Sequence, residues 1–200
     1  MFRVVRFDLL LRSVVLISIL ISVVAYVFAQ RLTGTNISIF KLASIATAAS
    51  TVVMFVLLSP FISRKIWFIA RFFKKGLYPD LNGVWVGQIT TEDQKTFEVR
   101  AVIRQALLVT EIDMHGETVK SVTLETTPTI ELNKKKLYYV YRSTPRNPSW
   151  GDYVGSTIFD VIEGGSALIL SGRYYTDRKS VGRISIKRVS TSIDADVSYY

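Results

Sequence analysis

The chain has 200 residues, a formal net charge of +9, no cysteine and one histidine. That length holds one ordinary domain, or a small domain with an anchor. The lack of cysteine excludes a disulfide framework and thiolate chemistry, and a single histidine falls short of a His-based metal site. The charge invites a nucleic-acid partner, but its distribution argues against one. Residues 1–75 hold ten Lys/Arg against the lone acid Asp8, whereas 76–200 hold fifteen of each sign, so the C-terminal part is formally neutral and no nucleic acid polymer is expected as its partner.

Two uncharged apolar runs come first, Ser13 to Ala29 and Leu42 to Ser63. A bilayer core takes ~20 apolar helical residues, so residues 1–63 are expected to form a transmembrane helical hairpin. Leu9 to Leu11 extend the first run if Arg12 snorkels. Pro60 falls near the end of the second run, where a break costs little. The small residues of Ala43-Ser-Ile-Ala-Thr-Ala-Ala-Ser50 allow close helix approach. Arg3, Arg6 and Arg12 precede the first run and five Lys/Arg follow the second within 64–75, with only Arg31 and Lys41 between. The positive-inside rule then places both termini in the cytoplasm and the short loop outside. Val27-Phe-Ala29 after a basic start also fits a cleavable leader, but the apolar run exceeds the ~7–15 residues of a leader. Residues 64–77 read as a basic amphipathic collar, with Ile66, Trp67, Phe68, Ile69, Phe72 and Phe73 among the cations, a composition suited to a membrane interface.

From Tyr78 onward the pattern changes to strands: roughly 82–91, 96–105, 106–114, 117–127, 136–144, 153–162, 167–176 and 181–189. Turn residues punctuate them at Glu92-Asp93, His115-Gly116, Asn133-Lys134, Pro145–Pro148, Glu163-Gly164-Gly165 and Asp177-Arg178-Lys179; no such signal separates the second strand from the third. Phe97, Val99, Ala101 and Ile103 alternate with Glu98, Arg100 and Arg104, and charge on the second face fits an exterior in water rather than in lipid. The expected domain, 78–200, is an eight-stranded up-and-down antiparallel β-barrel, lipocalin-like but minimal, with room for side chains or one small ligand; a β-sandwich is the alternative. Gly83-Val-Trp85 resembles the Gly-x-Trp at the start of lipocalin-like barrels, and also reads as a buried tryptophan beside a tight glycine.

No catalytic constellation emerges. His115 reads as a turn residue, Ser156 and Ser180 have no histidine partner, and Asp152 and Asp160 are loosely spaced surface acids. No glycine-rich phosphate loop opens a helix. The protein is not expected to be an enzyme, nor to carry a cofactor or metal.

Two apolar helices, a basic collar and then Tyr78-Pro-Asp-Leu-Asn-Gly-Val-Trp85 resemble, in that order, the two-transmembrane β-barrel effectors associated with CD-NTases in CBASS antiphage operons. Ile103-x-Gln105, Leu137-x-Tyr139-x-Tyr141 with Pro145, Leu170-x-Gly172-x-Tyr174 with Arg178, and Gly182-x-Ile184-x-Ile186-x-Arg188 agree with that likeness. The resemblance implies a barrel that binds a cyclic dinucleotide or oligonucleotide, oligomerises, and disrupts the bacterial inner membrane through its hairpin. Such a ligand needs donors for its phosphates and aromatic faces for its bases. Tyr139, Tyr141 and Tyr174 are then expected to stack or donate, Gln105, Ser121 and Thr123 to bond base edges, and Arg142 and Arg178 to meet phosphate. Alternation sets Arg142 opposite Tyr141, so its role requires the barrel mouth to turn there. A binder of an apolar ligand and a structural assembly protein are the rival readings.

Overall fold

A computed structural model describes residues 7–33, 38–59, 78–106, 109–165 and 167–199, with 62, 65 and 69 besides. The chain divides into two compact units, one within 5–75 and the other from Gly76 onward.

The first unit holds helix α1, Phe7–Thr33, packed against helix α2, Ile39–Leu58. α2 stops earlier than its apolar run. Ser59 takes an extended conformation, φ −66° and ψ 118°, as the residue before Pro60 must, because the proline ring disfavours helical backbone there. Several hydroxyls within the helices turn inward on their own backbone. Ser22 donates to Ser18 O at 2.7 Å, Thr47 to Ala43 O at 2.9 Å and Thr51 to Thr47 O at 2.9 Å, so these hydroxyls need no outside partner. Among the described residues, no helix is long and apolar enough to cross a membrane. The expected hairpin is therefore present as two packed helices, without a demonstrated span. The collar expected at 64–77 lies outside the described residues, apart from Lys65 and Ile69.

The second unit is a closed barrel of eight antiparallel strands in sequence order. They are β1 Gly83–Thr91, β2 Thr96–Gln105, β3 Thr110–Gly116, β4 Val119–Glu131, β5 Lys134–Pro145, β6 Tyr153–Gly164, β7 Ala167–Thr176 and β8 Val181–Ser190. β8 pairs back onto β1 through Thr91↔Gly182 and Ile89↔Ile184, so no edge strand remains. Burial alternates as the sequence pattern requires: in β6, Gly155, Thr157, Phe159 and Val161 are buried while their neighbours are exposed. The β4–β5 hairpin turns at Leu132 and Asn133, both with positive φ of 48° and 62°, the geometry that suits the right-handed twist of adjoining strands.

One end of the barrel is plugged by the residues that lead into it. Tyr78, Leu81 and Trp85 have no exposed surface. Tyr78 Oη donates to Lys136 O at 3.0 Å, and Trp85 Nε1 donates to Leu81 O at 3.0 Å. Arg188 Nη1 donates to Asp80 O at 2.7 Å. The chain turns into β1 at Gly83, whose φ of +132° suits glycine alone. At the C-terminus Val197 is buried and the Tyr199 ring lies 4.3 Å beneath the Arg100 guanidinium, so 191–199 packs along the outer wall.

Candidate functional site

The end opposite the plug is open. Four connections gather there: 92–95, 117–118, 146–152 and 177–180. Together with the adjoining strand ends they line a cavity of about 530 Å³, within the range of small-molecule sites. Its wall is built by period-two alternation on β4, β5 and β7, which turns Ser121, Tyr139, Tyr141, Ser143 and Tyr174 inward. Ile89, Val99 and Ile184 supply an apolar opposite wall.

Inside, the donors are hydroxyls. Ser121 Oγ and Ser143 Oγ share a 2.7 Å hydrogen bond across β4 and β5. Tyr139 and Tyr141 stack with ring centroids 4.9 Å apart and 29° between planes, and Tyr139 continues onto Phe159 at 6.2 Å. Burial pushes the Tyr139 phenol well above its ordinary value, with Tyr141 and Asp113 adding to the rise. Tyr141 is raised by burial first and by Tyr153 second, and Tyr174 is raised by the same two causes. These phenols therefore stay O–H donors across the physiological range. The charges stand at the rim and balance: Lys95, Arg178 and Lys179 against Glu92, Asp93 and Glu117. Arg178 donates to Gly151 O and lies 4.5 Å over the Tyr153 ring, which ties the 146–152 loop to the β7–β8 turn.

Five of the eight residues expected from sequence line this cavity: Ser121, Tyr139, Tyr141, Tyr174 and Arg178. Three stand elsewhere. Gln105 is buried at the plugged end, where its Oε1 accepts from Leu81 N at 2.7 Å. Its backbone exchanges hydrogen bonds with the Asn82 side chain at 2.8 and 3.0 Å. It secures the plug and is out of reach of the cavity. Arg142 is exposed on the outer wall, between Val122 and Val154 of the flanking strands; the mouth does not turn there, so the condition for its role is not met. His115, expected in a turn, lies within β3 with its Nε2 3.1 Å from Asp113 Oδ1.

Thr123 holds a seam. β3 and β4 pair only through Met114↔Ser121 and His115↔Lys120. Beyond that the hydroxyls take over the ladder: Thr123 Oγ1 accepts from Ile112 N at 2.7 Å and donates to Ile112 O at 2.9 Å, and Thr126 donates to Thr110 O. Thr123→Val keeps the shape, strands the Ile112 amide, and leaves the Ile112 carbonyl only the long 3.4 Å bond from Tyr139 Oη. It should cost about 1–3 kcal/mol in urea unfolding and speed hydrogen exchange at Ile112 well before that of the β5–β6 amides. Unchanged exchange at Ile112 would show that the seam does not depend on the hydroxyl.

Sequence reasoning missed Ser143, Trp150, Tyr153, Lys95 and Lys179. Ser143 was within reach, since it shares the inward face of Tyr139 and Tyr141. The others belong to turns or strand ends, where alternation says nothing.

A family model described as Cap15, cyclic dinucleotide receptor domain, matches residues 77–188. No curated protein matches the chain.

Proposed function

The chain belongs to the Cap15 cyclic dinucleotide receptor family, and on that premise we propose that it is a membrane effector of a CBASS antiphage system. The barrel binds a cyclic dinucleotide in its open-ended cavity. Binding gathers copies of the protein, and their helical hairpins breach the inner membrane of the infected cell. The observation that carries the receptor half is the cavity itself, about 530 Å³, walled by stacked tyrosines and lined with hydroxyls inside the matched domain.

The chemistry of the site fits such a ligand. The Tyr139–Tyr141 stack offers an aromatic surface to a base, and base–aromatic stacking contributes ~1–3 kcal/mol per base. Ser121, Ser143 and Tyr174 offer neutral donors or acceptors, and Arg178 at the rim supplies a charged partner for phosphate. Balanced rim charge means that recognition rests on these directed contacts rather than on a general anion field.

The membrane half rests on the helices. Leu16, Leu20, Val24 and Phe28 of α1 and Phe40 and Phe55 of α2 are all more than half exposed, a surface that a bilayer would cover. The Lys/Arg distribution orients the hairpin with both termini and the barrel in the cytoplasm.

Thermal unfolding of the full chain in detergent, with cyclic di-AMP, cyclic di-GMP and cyclic di-UMP added separately, tests the receptor reading. A ligand held at 100 times its Kd should stabilise by about 2.7 kcal/mol, seen as a raised melting temperature of the β signal. No shift with any cyclic dinucleotide would sink this reading, and a shift with fatty acids alone would favour an apolar ligand.

A further inference from the structure

Two cavity tyrosines each sit directly across from a glycine on the next strand: Tyr141 pairs with Gly155, and Tyr174 with Gly182. Neither glycine has a positive φ, so backbone freedom is not what the position requires. Space is. A Cβ on Gly155 would stand 2.5 Å from Tyr141 Oη and 2.6 Å from its Cε2, and the three atoms nearest to it all belong to Tyr141. A Cβ on Gly182 would stand 2.6 Å from Tyr174 Cε1, but there the Thr90 carbonyl crowds it as well. Gly155 is thus the clean case, where a missing side chain serves one ring.

The direction of that ring follows. Its tip reaches sideways over β6 at Gly155, and one face rests on Tyr139 at 4.9 Å. Position 141 is nearer the mouth than 139 on β5, so the other face is turned towards the mouth. The ring lies as a tile across the wall rather than as a post in the lumen. We propose that Gly155 is a positioning residue: by vacating the wall it lets Tyr141 stack on Tyr139, and the face turned towards the mouth becomes the platform on which one base of the ligand stacks. Any side chain at 155 lifts the phenol into the lumen, which removes the platform and narrows the cavity together. This inference rests on the cyclic dinucleotide reading of the same cavity.

A double-mutant cycle tests it, using the full chain in detergent and the same three cyclic dinucleotides. Gly155→Ala should weaken binding at least tenfold. Tyr141→Ala should weaken it by about ten- to a hundredfold, as loss of one stacked base does. In the Tyr141→Ala background, with no ring to displace, adding Gly155→Ala should change affinity and melting temperature by almost nothing. The double variant should fold even if Gly155→Ala alone does not. Wild-type affinity in Gly155→Ala, an equal loss in both backgrounds, or a double variant that fails to fold would each overturn the proposal. If the wild type binds none of the three ligands, the receptor reading fails instead. Positioning is then decided by melting temperature, which must fall on Gly155→Ala in the wild type and not beside Tyr141→Ala.

Discussion

Alkaline pH should unfold the barrel steeply, with its buried tyrosines ionising only as it opens. Tyr78, Tyr139 and Tyr141 are almost wholly buried, and burial is the leading cause that raises all three phenols. In the unfolded chain each ionises near the ordinary value of about 10; in the barrel each keeps its proton. Above about pH 10 the unfolded state therefore binds fewer protons than the native state, and stability falls as pH rises. Each phenol contributes a slope of about 1.4 kcal/mol per pH unit, so the three together give about 4. Two units of alkalinity would then remove about as much stability as a typical domain possesses. Below about pH 9 the same groups are protonated in both states and contribute no slope. Urea unfolding across the alkaline range, followed by circular dichroism and by tyrosinate absorbance, checks this. Exposed tyrosines should ionise first with the β signal intact, and the buried set only with its loss. Ionisation of every tyrosine near pH 10 in a folded barrel would contradict it. The consequence for function is that the cavity's phenols remain donors throughout the pH range of a cell.

The strands were legible in the sequence because each buries one face, and a period of two is a strong signal when turns bound it. Six of the seven connections between strands announced themselves by turn residues. The β2–β3 connection did not: β2 ends at Gln105 and β3 begins only at Thr110, later than the pattern suggested. Alternation also reveals which face a residue takes but not how high it stands. Gln105 and Tyr139 both point inward, yet one secures the plug and the other lines the cavity. That difference depends on which turns close which end, and no local pattern records it. Thr123 fails for another reason. β4 carries a register shift between Thr123 and Glu125, and a bulge breaks the alternation that would assign the face. Arg142 shows the opposite: its outward position followed from Tyr141 and Ser143 on either side. Lys95, Trp150, Tyr153 and Lys179 share one cavity only because three hairpins converge, and their connections have no period from which to read it. The glycines opposite Tyr141 and Tyr174 were visible as letters, but their pairing needs the register.

Removing residues 1–75 should abolish growth arrest in cells while leaving cyclic dinucleotide affinity within about threefold of the full chain. The barrel's closure is its own: β8 pairs with β1, and the plug of Tyr78 to Asn82 lies on the barrel side of the cut. The truncation also removes the entire basic excess, since 76–200 are formally neutral, so the remaining barrel has no electrostatic reason to seek a membrane surface. Ligand can drive assembly only by as much as it prefers the assembled state, and for the isolated barrel that preference can show as a rise in apparent mass, with no membrane to harm. Binding by gel-filtered barrel and survival of cells expressing it under a supplied cyclic dinucleotide separate the two halves of the proposal. Arrest that survives the deletion would refute the membrane mechanism while sparing the receptor. A folded barrel that no longer binds would place part of the receptor within the helices, and the cavity at the mouth would then be only a fragment of the site.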